Sequence, residues 1–382
     1  MGIEQKKIGI IGGGQLGKMM ILEAKKMDFE VIILDPSADC PAHSIVDEHI
    51  VADFSDAEAI KELAEKSNVL TYEFEHINVS ALKELEAEGH KIYPTPKSLE
   101  IIQNKFHQKQ LLKAEGLAVP EFVRITDLAD LEKAVERFGL PLMLKSCEGG
   151  YDGKGNFLIK EESELETAFK ELDGDNRLLM AEEYIPFDKE VSVIVCRGID
   201  GCDTVYPIGE NIHRESILFE TQVPAEIDKT VSNKAAQIGF KVADIFSAVG
   251  IFCIELFVAD GEVLVNEIAP RPHNSGHYSI EGAKTSQFEN HIRAITGLPL
   301  GETELLTPIV MRNILGAKNK GPSLVKGLAE TLEIKGVKVH IYGKSESYYQ
   351  RKMGHLTATA DTLAEAEKNA KQAREKIEIT GK

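Results

Sequence analysis

Short apolar runs alternate with amphipathic stretches over the first part of the chain. Three of the runs have the length and composition of strands: 8–12, 31–35 and 69–73. The stretches between them show helical patterns. This alternation predicts a doubly wound α/β domain with a parallel sheet over residues 1–105. Such sheets bind ligands beyond their strand ends, and four polar residues lie there: Gln15, Asp35, Glu73 and Glu75.

A glycine-rich turn follows the first predicted strand. It has the form G-x-G-x-x-G over Gly12–Gly17, and Asp35 ends the next strand. Taken alone, this spacing predicts a dinucleotide-binding domain in which Asp35 holds the ribose. The same turn can hold any phosphate at a helix N-terminus, so a phosphorylated substrate is the simpler interpretation. A nicotinamide-dependent oxidoreductase is the alternative that this segment favours.

A second glycine-rich segment lies between two predicted strands in the middle of the chain. Residues 149–156 have the sequence G-G-Y-D-G-K-G-N, and the flanking apolar runs are 140–145 and 157–159. The backbone N–H groups of this segment can turn onto phosphate oxygens while Lys154 supplies positive charge, which predicts a nucleotide-phosphate lid. No G-x-x-x-x-G-K-[ST] pattern occurs, so it is not a Walker loop. A glycine-rich hairpin without a ligand is the alternative.

Two apolar strands further along the chain each contain a glutamate. Glu255 lies in 251–258 and Glu267 in 263–268, and a hairpin turn signal joins the two runs. A carboxylate in an apolar strand is costly unless something satisfies it. Mg²⁺ takes a few carboxylate oxygens together with substrate phosphates, so this pair and Asn266 predict a nucleotide-bound Mg²⁺ site. Two glutamates on a solvated sheet face are the alternative.

The remaining patterns predict the start of the middle domain and the elements of the last part of the chain. A helical pattern over 98–116 leads to Pro120, which marks a boundary. A polar helix begins at Leu363, and three strands precede it: 309–314, 337–342 and 355–360. Three cations lie between the last two of these strands: Lys344, Arg351 and Lys352. On its own, such a cluster is typical of a solvated face.

Composition excludes some classes of protein. The formal net charge of −18 over 382 residues argues against nonspecific binding of nucleic acid, because a polyanion is repelled on average. The five cysteines are odd in number and lack C-x-x-C spacing, which predicts a reduced, cytoplasmic chain. Neither a signal peptide nor an apolar run of membrane-spanning length is expected.

Several motifs occur together in a fixed order. The N-terminal turn is followed by Thr71-Tyr-Glu-Phe-Glu75, the 149–156 lid, Asn266-Glu-Ile-Ala-Pro-Arg-Pro-His-Asn-Ser-Gly-His277 and Arg351-Lys-Met-Gly-His355. With these motifs, nearly the whole chain resembles the ATP-grasp superfamily. Within it, the last two motifs resemble the N5-carboxyaminoimidazole ribonucleotide synthetase family, the ATPase subunit of bacterial phosphoribosylaminoimidazole carboxylase.

The resemblance implies an α/β and α+β chain with ATP-grasp architecture. An N-terminal doubly wound parallel sheet (1–105) would bind substrate, a central two-part domain (106–296) would enclose ATP, and a small C-terminal domain (297–382) would close the substrate cleft. The implied reaction is ATP-dependent carboxylation of 5-aminoimidazole ribonucleotide by bicarbonate, through carboxyphosphate, in purine biosynthesis. The implied metal is Mg²⁺, for which Mn²⁺ can substitute.

The resemblance also assigns roles to particular positions. The implied ATP-binding residues are Lys105, Lys145, Gly150, Tyr151, Asp152, Gly153, Lys154, Gly155, Asn156, Glu182, Glu183, Tyr184, Ile185, Glu190, His213, Asn266 and Glu267. Lysine stands at 105 where the family commonly has arginine, which keeps the charge but loses the bidentate fork. Which of Glu182, Glu183 and Glu190 takes the ribose stays open.

The other implied roles concern substrate, metal and chemistry. The substrate-binding residues would be Gln15, Leu16, Asp35, Glu73, Tyr151, Lys344 and Arg351. The metal ligands would be Glu255 and Glu267, and the catalytic residues would be Arg271, Lys154, Asp152 and Asn274. Arg271 is favoured over Asp152 and His273 for bicarbonate, since a guanidinium fork fits a planar anion.

The same resemblance implies a homodimer and a possible mutase partner that acts on the product. Two further alternatives stay open beside the oxidoreductase. Another ATP-grasp carboxylate ligase, for example one that uses formate, would keep the lid and the acidic pair. A noncatalytic nucleotide-binding module would bind ATP without releasing ADP.

Overall fold

The computed structural model describes residues 6–150 and 155–382. The first part of the described chain forms these elements: β1 (Lys7–Ile11), α1 (Gln15–Lys26), β2 (Glu30–Leu34), β3 (Glu48–Ile50), α2 (Ala57–Lys66), β4 (Val69–Tyr72), α3 (Val79–Ala87), α4 (Pro96–Gln103) and α5 (Lys105–Ala114). Its strands pair in parallel in the order β3–β2–β1–β4. The three predicted strands are thereby confirmed to within one residue at each end.

Both faces of this parallel sheet are covered, as the alternating pattern predicts. Ile8, Ile10 and Ile33 point towards α1, while Ile32 and Leu70 point towards α2 and α3. Strands buried on both faces become nearly continuous apolar runs, which is why β1 and β2 lack polar alternation.

The helical pattern over 98–116 corresponds to two helices rather than one. The chain breaks at Asn104, whose backbone is extended, and its side chain accepts the N–H of His107 at 3.1 Å. This amide is the N-cap of α5. The break redirects α5, so that Lys105 and Lys109 face the middle domain, where both contact glutamates.

The middle of the chain forms two antiparallel sheets. The smaller sheet, in the order β5–β8–β6–β7, is covered by two helices, and these elements are β5 (Phe122–Ile125), α6 (Leu128–Phe138), β6 (Leu142–Ser146), β7 (Asn156–Ile159), α7 (Leu165–Glu171) and β8 (Leu179–Glu183). The elements that follow are β9 (Lys189–Arg197), β10 (Asp203–Val205), β11 (Gly209–Arg214), β12 (Ile217–Val223), α8 (Lys229–Ile245), β13 (Gly250–Ala259), β14 (Glu262–Ala269), α9 (Ser279–Gly282) and α10 (Gln287–Thr296).

The last part of the chain extends the larger sheet. Its elements are β15 (Ile309–Leu315), β16 (Gly321–Lys326), α11 (Leu328–Leu332), β17 (Val337–Ile341), β18 (Glu346–Ser347), β19 (Lys352–Thr359), α12 (Leu363–Lys376) and β20 (Glu378–Gly381). The large sheet runs β14–β13–β9–β11–β12–β15–β19–β17, with β10 beside β9. Strands of the middle and C-terminal segments therefore share one sheet across β12 and β15. The boundary expected near residue 296 stays a prediction.

Helix α10 connects the middle of the chain to the N-terminal sheet. Phe288, Ile292 and Ile295 join the apolar cluster between α1 and β1. Thr71 Oγ1 of β4 lies 2.8 Å from His291 Nε2 of α10. These contacts fix the strand ends of the N-terminal sheet beside the segment that precedes α10. In the described part of the chain, none of the helices combines the length and apolar character that a membrane crossing requires.

Candidate active site

Four titratable side chains form a row across one face of the large sheet. Glu255 of β13 stands directly opposite Glu267 of β14, because a β-bulge between Glu255 and Leu256 shifts the register of the predicted hairpin by one residue. Glu190 of β9 is the diagonal neighbour of Glu255 on the same face. His213 of β11 completes the row, with Nδ1 at 2.9 Å from Glu190 Oε2. The row is referred to below as the acidic row.

The electrostatics of the acidic row favour a bound cation. Burial, followed by the charges of Glu190 and Glu267, raises the pKa of Glu255 to about 7. Burial alone would also raise the pKa of Glu267, but Lys105 outweighs it and holds that pKa below its usual value. Lys105 Nζ lies 2.6 Å from Glu267 Oε2. The positive charge beside Glu255 is therefore too small to stabilise its ionised carboxylate.

These residues fit an Mg²⁺ ion that a nucleotide brings with it. Within residues 6–150 and 155–382, no group of three or more His, Cys, Asp or Glu side chains converges closely enough to hold a metal ion. Mg²⁺ does not need such a group, because it commonly takes one or two carboxylates and completes its shell with phosphate oxygens and water. Glu255 and Glu267 would hold it, and the raised pKa of Glu255 marks where its charge is needed.

A buried ion triad, formed by Glu182, Lys109 and Lys145, lies beside the acidic row. Glu182 Oε1 lies 2.9 Å from Lys109 Nζ, and Oε2 lies 2.6 Å from Lys145 Nζ. Burial would raise the pKa of Glu182, yet the two lysines lower it to about 2, while burial lowers the pKa of Lys109 to about 8. Lys145 also donates to Asn266 Oδ1 at 3.3 Å, which connects the triad to the acidic row.

Replacing Glu182 with Gln is expected to make the free energy of unfolding less dependent on pH under acidic conditions. The folded-state pKa of Glu182, about 2, lies below the ordinary 4.5, so its contribution is present above pH 4.5 and is lost as the pH falls towards 2. Between about pH 6 and about pH 3, we expect the wild-type free energy of unfolding to fall by about 2 kcal/mol more than that of Glu182→Gln. Urea unfolding at several pH values measures the difference.

Glu121 offers a matched control for this substitution. Its carboxylate also contacts two cations, Lys113 Nζ at 2.5 Å and Arg137 Nη2 at 3.0 Å, but all three side chains are exposed. Surface ion pairs contribute little, so Glu121→Gln should follow the wild-type pH dependence. Equal pH slopes for Glu182→Gln and the wild type would mean that the buried triad is not ionised in the folded protein.

The three acids proposed for the ribose differ in their surroundings. Both oxygens of Glu182 already contact lysines, which leaves its carboxylate little freedom to reach a sugar. Glu183 is exposed at the end of β8, where the chain continues through Tyr184 and Ile185. Glu190 faces His213, whose pKa burial would lower but the contact with Glu190 raises. The geometry thus favours Glu183 or Glu190, and the ribose assignment stays a prediction.

Only part of the predicted lid lies within the described residues. Tyr151, Asp152, Gly153 and Lys154 fall outside them. At the base of the lid, Asn156 stands opposite Lys145 in the β6–β7 pair, and Ser146 donates its N–H to Gly155 O at 2.7 Å. The predicted strands on both sides of the glycine-rich segment are confirmed, and its last residue, Asn156, lies beside Lys145 of the buried triad. Gly150, at its first end, lies close to Gly155.

The segment after β14 brings an arginine beside the acidic row. Nε and Nη2 of Arg271 lie 2.9 and 3.1 Å from the two oxygens of Glu75, and Nη1 donates to Pro272 O at 3.1 Å. Burial disfavours the charged guanidinium, but Glu75 outweighs it and raises the pKa of Arg271. His273 Nε2 lies 3.7 Å from Glu255 Oε1. Arg271 is therefore held by an acid of the N-terminal domain while its segment touches the acidic row.

Asn274 is held by a second asparagine. Its Nδ2 donates to Asn313 Oδ1 at 3.0 Å, and Asn313 Nδ2 donates back to Asn274 Oδ1 at 2.6 Å. Asn313, on β15, also donates to Leu218 O at 2.7 Å, which fixes the orientation of its amide. The predicted catalytic residue Asn274 thus depends on a strand from the C-terminal segment.

Two acids shape the N-terminal glycine turn. Gly13 N–H donates to Asp35 Oδ2 at 2.8 Å, while Gly14 and Gly17 donate to Glu73 at 2.5 and 2.6 Å. Gly12 has φ +110°, and a Cβ there would lie 2.3 Å from Glu73 Cγ, so only glycine permits this approach. Asp35 and Glu73, both predicted substrate-binding residues, therefore support the turn that presents Gln15 and Leu16 at the start of α1. Their contacts with substrate stay predictions.

A loop from the C-terminal segment covers this turn. Lys18 Nζ of α1 donates to Tyr342 O at 3.1 Å, and Lys344 lies close enough for its charge to oppose the raised pKa of Glu73. Arg351 is engaged differently: Nη1 donates to Glu346 O at 2.6 Å, and the guanidinium lies over the Tyr348 ring. Lys344 therefore lies near the glycine turn, whereas the side chain of Arg351 contacts residues of its own loop.

Several residues of this site were not predicted from the sequence. Lys109 lies one helical turn after Lys105, and that spacing could have indicated a shared face. Asn313 interrupts an apolar strand in the way that identified Glu255 and Glu267, so the same reasoning applies to it. Burial lowers the pKa values of His273 and His277, and the charge of Lys352 adds to that effect, while Lys18 contacts the covering loop. Lys352 lies in the Arg351-Lys-Met-Gly-His355 motif, which could have indicated a role for it, whereas no sequence signal distinguishes Lys18 from a surface cation.

Three features together define an ATP-grasp protein. They are two antiparallel sheets, a glycine-rich connection between strands of the smaller sheet, and a row of carboxylates beside buried lysines. The family description "ATP-grasp domain" matches residues 110–288. "Ribonucleotide synthetase preATP-grasp domain" matches 5–103, and "Phosphoribosylaminoimidazole carboxylase C-terminal domain" matches 309–369. The expected ATP-grasp architecture is confirmed.

Comparison with individual relatives identifies the family within the ATP-grasp proteins. The chain is 46% identical over 352 residues to N5-carboxyaminoimidazole ribonucleotide synthase of Bacillus subtilis, covering 92% of this chain and 90% of the relative. The crystal structure of N5-carboxyaminoimidazole ribonucleotide synthetase from Thermotoga maritima is 47% identical with a TM-score of 0.91, covering 99% of this chain and 100% of that one. The chain belongs to the N5-carboxyaminoimidazole ribonucleotide synthase family of ATP-grasp ligases.

A further solved relative carries bound ligands. N5-carboxyaminoimidazole synthase from Aspergillus clavatus, in complex with ADP and 5-aminoimidazole ribonucleotide, has a TM-score of 0.90 and is 34% identical, covering 97% of this chain and 98% of that one.

Proposed function

We propose that this protein uses ATP and bicarbonate to carboxylate 5-aminoimidazole ribonucleotide, giving N5-carboxyaminoimidazole ribonucleotide, ADP and phosphate. The observation that carries the proposal is the contact between the two centres of the site. His273 Nε2 lies 3.7 Å from Glu255, so the segment with Arg271 and Asn274 is directly beside the carboxylates that face the nucleotide. An acceptor held by Arg271 would lie next to the terminal phosphate of ATP.

Bicarbonate is a poor electrophile, which explains why ATP is required. Transfer of the γ-phosphoryl group to a bicarbonate oxygen releases ADP and forms carboxyphosphate. The amine of the ribonucleotide then attacks the carboxyl carbon, the bond to phosphate breaks, and the nitrogen loses a proton. Both steps depend mainly on positioning and charge neutralisation.

The described residues supply these two requirements. Lys105 and Lys145 lie on the nucleotide side and can neutralise phosphate oxygens, while Glu182 holds Lys145 in place. When bound, Mg²⁺ supplies Lewis-acid stabilisation of charge on the phosphates. Glu75 and Pro272 engage the inner edge of Arg271, which leaves N–H donors at its outer end for bicarbonate. Closing the lid would exclude water, which hydrolyses carboxyphosphate.

The proposal includes the assembly and surroundings implied by the family. The metal would be Mg²⁺, with Mn²⁺ as a substitute, and the active form would be a cytoplasmic homodimer. The product would pass to a separate mutase. Another ATP-grasp carboxylate ligase is the second candidate, because the nucleotide side of the site is compatible with any acid whose carboxylate accepts the phosphoryl group.

The deciding experiment measures ADP release from ATP and Mg²⁺ with bicarbonate, in the presence and absence of 5-aminoimidazole ribonucleotide. Formate and a panel of amino acids replace bicarbonate in parallel reactions. Stimulation that needs both bicarbonate and the ribonucleotide supports the proposal. Stimulation by another acid would retain the ATP-grasp chemistry and overturn the substrate assignment. If no acid stimulates ADP release and a nicotinamide cofactor gives a fluorescence signal on binding, both the ATP-grasp chemistry and the substrate assignment are overturned.

Replacing Lys344 with Ala is expected to weaken use of the ribonucleotide. Lys344 lies near Glu73 at the start of α1, where a helix N-terminus and a cation together favour a phosphate. We expect KM for the ribonucleotide to rise by about tenfold, which corresponds to one charge-assisted phosphate contact, while KM for ATP stays nearly constant. Initial-rate measurements with each substrate varied in turn measure both constants.

Lys338 provides the control for this change. It is exposed on β17, the strand that leads to Tyr342 and Lys344. Lys338→Ala removes the same charge from the same segment and should leave both constants unchanged. If Lys344→Ala leaves the ribonucleotide requirement unchanged as well, Lys344 belongs to the solvated face that the sequence pattern alone would indicate.

A further inference from the structure

Gln287, the first residue of α10, holds the backbone of the segment that contains Arg271 and Asn274. Its side chain is completely buried. Oε1 accepts the N–H of His273 at 2.9 Å, and Nε2 donates to the C=O of the same residue at 2.7 Å. One amide therefore satisfies both backbone groups of His273, which stops the peptide from rotating.

The surrounding residues leave room for this contact and hold Gln287 in turn. A Cβ at Gly276 would lie 2.4 Å from Gln287 Oε1, so the glycine of the Asn-Ser-Gly-His motif allows the amide to approach. Gln287 N–H donates to Ser279 Oγ at 2.9 Å, and Ser279 Oγ donates to Gly276 O at 2.6 Å. Gly276 thus leaves space for the side chain of Gln287, while Ser279 holds its backbone N–H.

The amide of Gln287, oriented by its two hydrogen bonds to His273, fixes the tautomer of His277. The Nδ1 atom of His277 lies 3.3 Å from Gln287 Nε2, and an amide nitrogen can only donate. Nδ1 must therefore be the acceptor, which requires a neutral ring with its proton on Nε2. Burial lowers the pKa of His277 well below its usual value, and nearby cations lower it further, so the ring stays neutral.

We propose that Gln287 is a positioning residue that fixes the peptide of His273, so that Arg271 and Asn274 on either side of it face the same bicarbonate. Glu75 of the N-terminal domain holds the side chain of Arg271, and Asn313 of β15 holds the side chain of Asn274. Gln287 is the third constraint, and it acts on the backbone between them. This inference rests on the proposed function, because it assigns Gln287 to the bicarbonate step.

The test compares Gln287→Met and Gln287→Glu with the wild type. Methionine has a similar length but makes neither hydrogen bond, whereas glutamate keeps an acceptor for the N–H of His273. We expect KM for bicarbonate to rise by roughly tenfold to a hundredfold in Gln287→Met and by less in Gln287→Glu, because a small misplacement of reacting groups is costly. KM for ATP should change by less than about twofold, since the acidic row and the buried triad do not contact Gln287.

Asn290 supplies the matched control on the same helix. It is also completely buried and also holds a backbone, since Oδ1 accepts Gly301 N–H at 2.7 Å and Nδ2 donates to Gly301 O at 3.1 Å. Asn290→Leu should lower the thermal unfolding midpoint as Gln287→Met does, yet leave KM for bicarbonate unchanged. If KM for bicarbonate rises equally in Gln287→Met and Asn290→Leu, Gln287 has only a structural role.

The outcomes separate this inference from the proposed function. Wild-type ADP release that does not depend on bicarbonate would overturn the proposed function itself. Bicarbonate-dependent release with unchanged KM in both Gln287 variants would overturn only the positioning role. If Gln287→Met does not fold, Gln287→Glu decides the question, because it keeps the shape of the side chain and one of its hydrogen bonds.

Discussion

The Glu267→Gln variant is expected to lose ADP formation almost completely, by about 10³-fold in kcat, while it folds nearly as well as the wild type. The substitution keeps the shape of the side chain but removes one of the two carboxylates available to a nucleotide-bound Mg²⁺. It also leaves Lys105, whose Nζ lies 2.6 Å from Glu267 Oε2 in the wild type, without its counterion. Glu267 is partly open to the cleft, with 40% of its side chain exposed, so a neutral amide there is readily solvated.

Two measurements on this variant distinguish a metal role from a structural one. ADP release at saturating substrates gives kcat, and Mn²⁺ retention in the presence of ADP reports the metal directly. Glu262→Gln is the control, since Glu262 lies on the same strand, is exposed, and contacts Lys234 at 3.2 Å on the surface. Normal turnover in Glu267→Gln would remove the metal assignment from the acidic row.

The Arg271→Lys variant should lose bicarbonate use by roughly 10²–10³-fold in kcat/KM, with KM for ATP nearly unchanged. Lysine keeps the positive charge but cannot contact Glu75, Pro272 and a planar anion at the same time. In the wild type, the inner edge of the guanidinium contacts Glu75 at 2.9 and 3.1 Å. An ammonium drawn towards that carboxylate would leave bicarbonate without an oriented partner.

Arg293→Lys serves as the comparison for this substitution. Arg293 pairs with Glu289 one turn away on α10, at the edge of the same region but outside the site. Such a helical pair tolerates either cation, so we expect unchanged kinetics. Bicarbonate saturation curves at fixed ATP and ribonucleotide give the required constants. An Arg271→Lys variant with a wild-type bicarbonate KM would exclude Arg271 as the bicarbonate residue.

The contacts of Glu75 and Asn313 explain how bicarbonate binding can depend on three parts of the chain. Glu75 follows β4 of the N-terminal sheet, Arg271 follows β14, and Asn313 lies within β15. Each part supplies a residue that cannot reach the site unless the domains are packed together. The same packing places the start of α1, where we propose that the substrate phosphate binds, next to the loop with Lys344.

Several elements could be predicted because their signal is local. Hydrophobic periodicity places the strands of the N-terminal sheet and of the β13–β14 hairpin, because strand burial repeats every second residue or makes a continuous apolar run. The turn signal between those strands predicts the hairpin, but its register alone would pair Glu255 with Asn266. A β-bulge between Glu255 and Leu256, which the sequence pattern does not show, brings Glu267 opposite Glu255 instead. The glycine motifs indicate phosphate chemistry, since backbone N–H groups bind anions wherever glycine allows the turn.

Other features were decided only by tertiary structure. The helical pattern over 98–116 hides the break at Asn104, because apolar spacing continues across it and an asparagine within such a pattern becomes an N-cap only where the chain turns. Lys109 looks like a surface lysine until α5 covers Glu182, and Gln287 looks like an ordinary helix residue until His273 lies beside it. Local sequence therefore determines secondary structure and the chemistry of motifs. Contacts between elements that are separated in the sequence, by 14 positions for Gln287 and His273 and by 196 for Arg271 and Glu75, depend on how the chain packs, and these contacts set the charge, orientation and partners of the site.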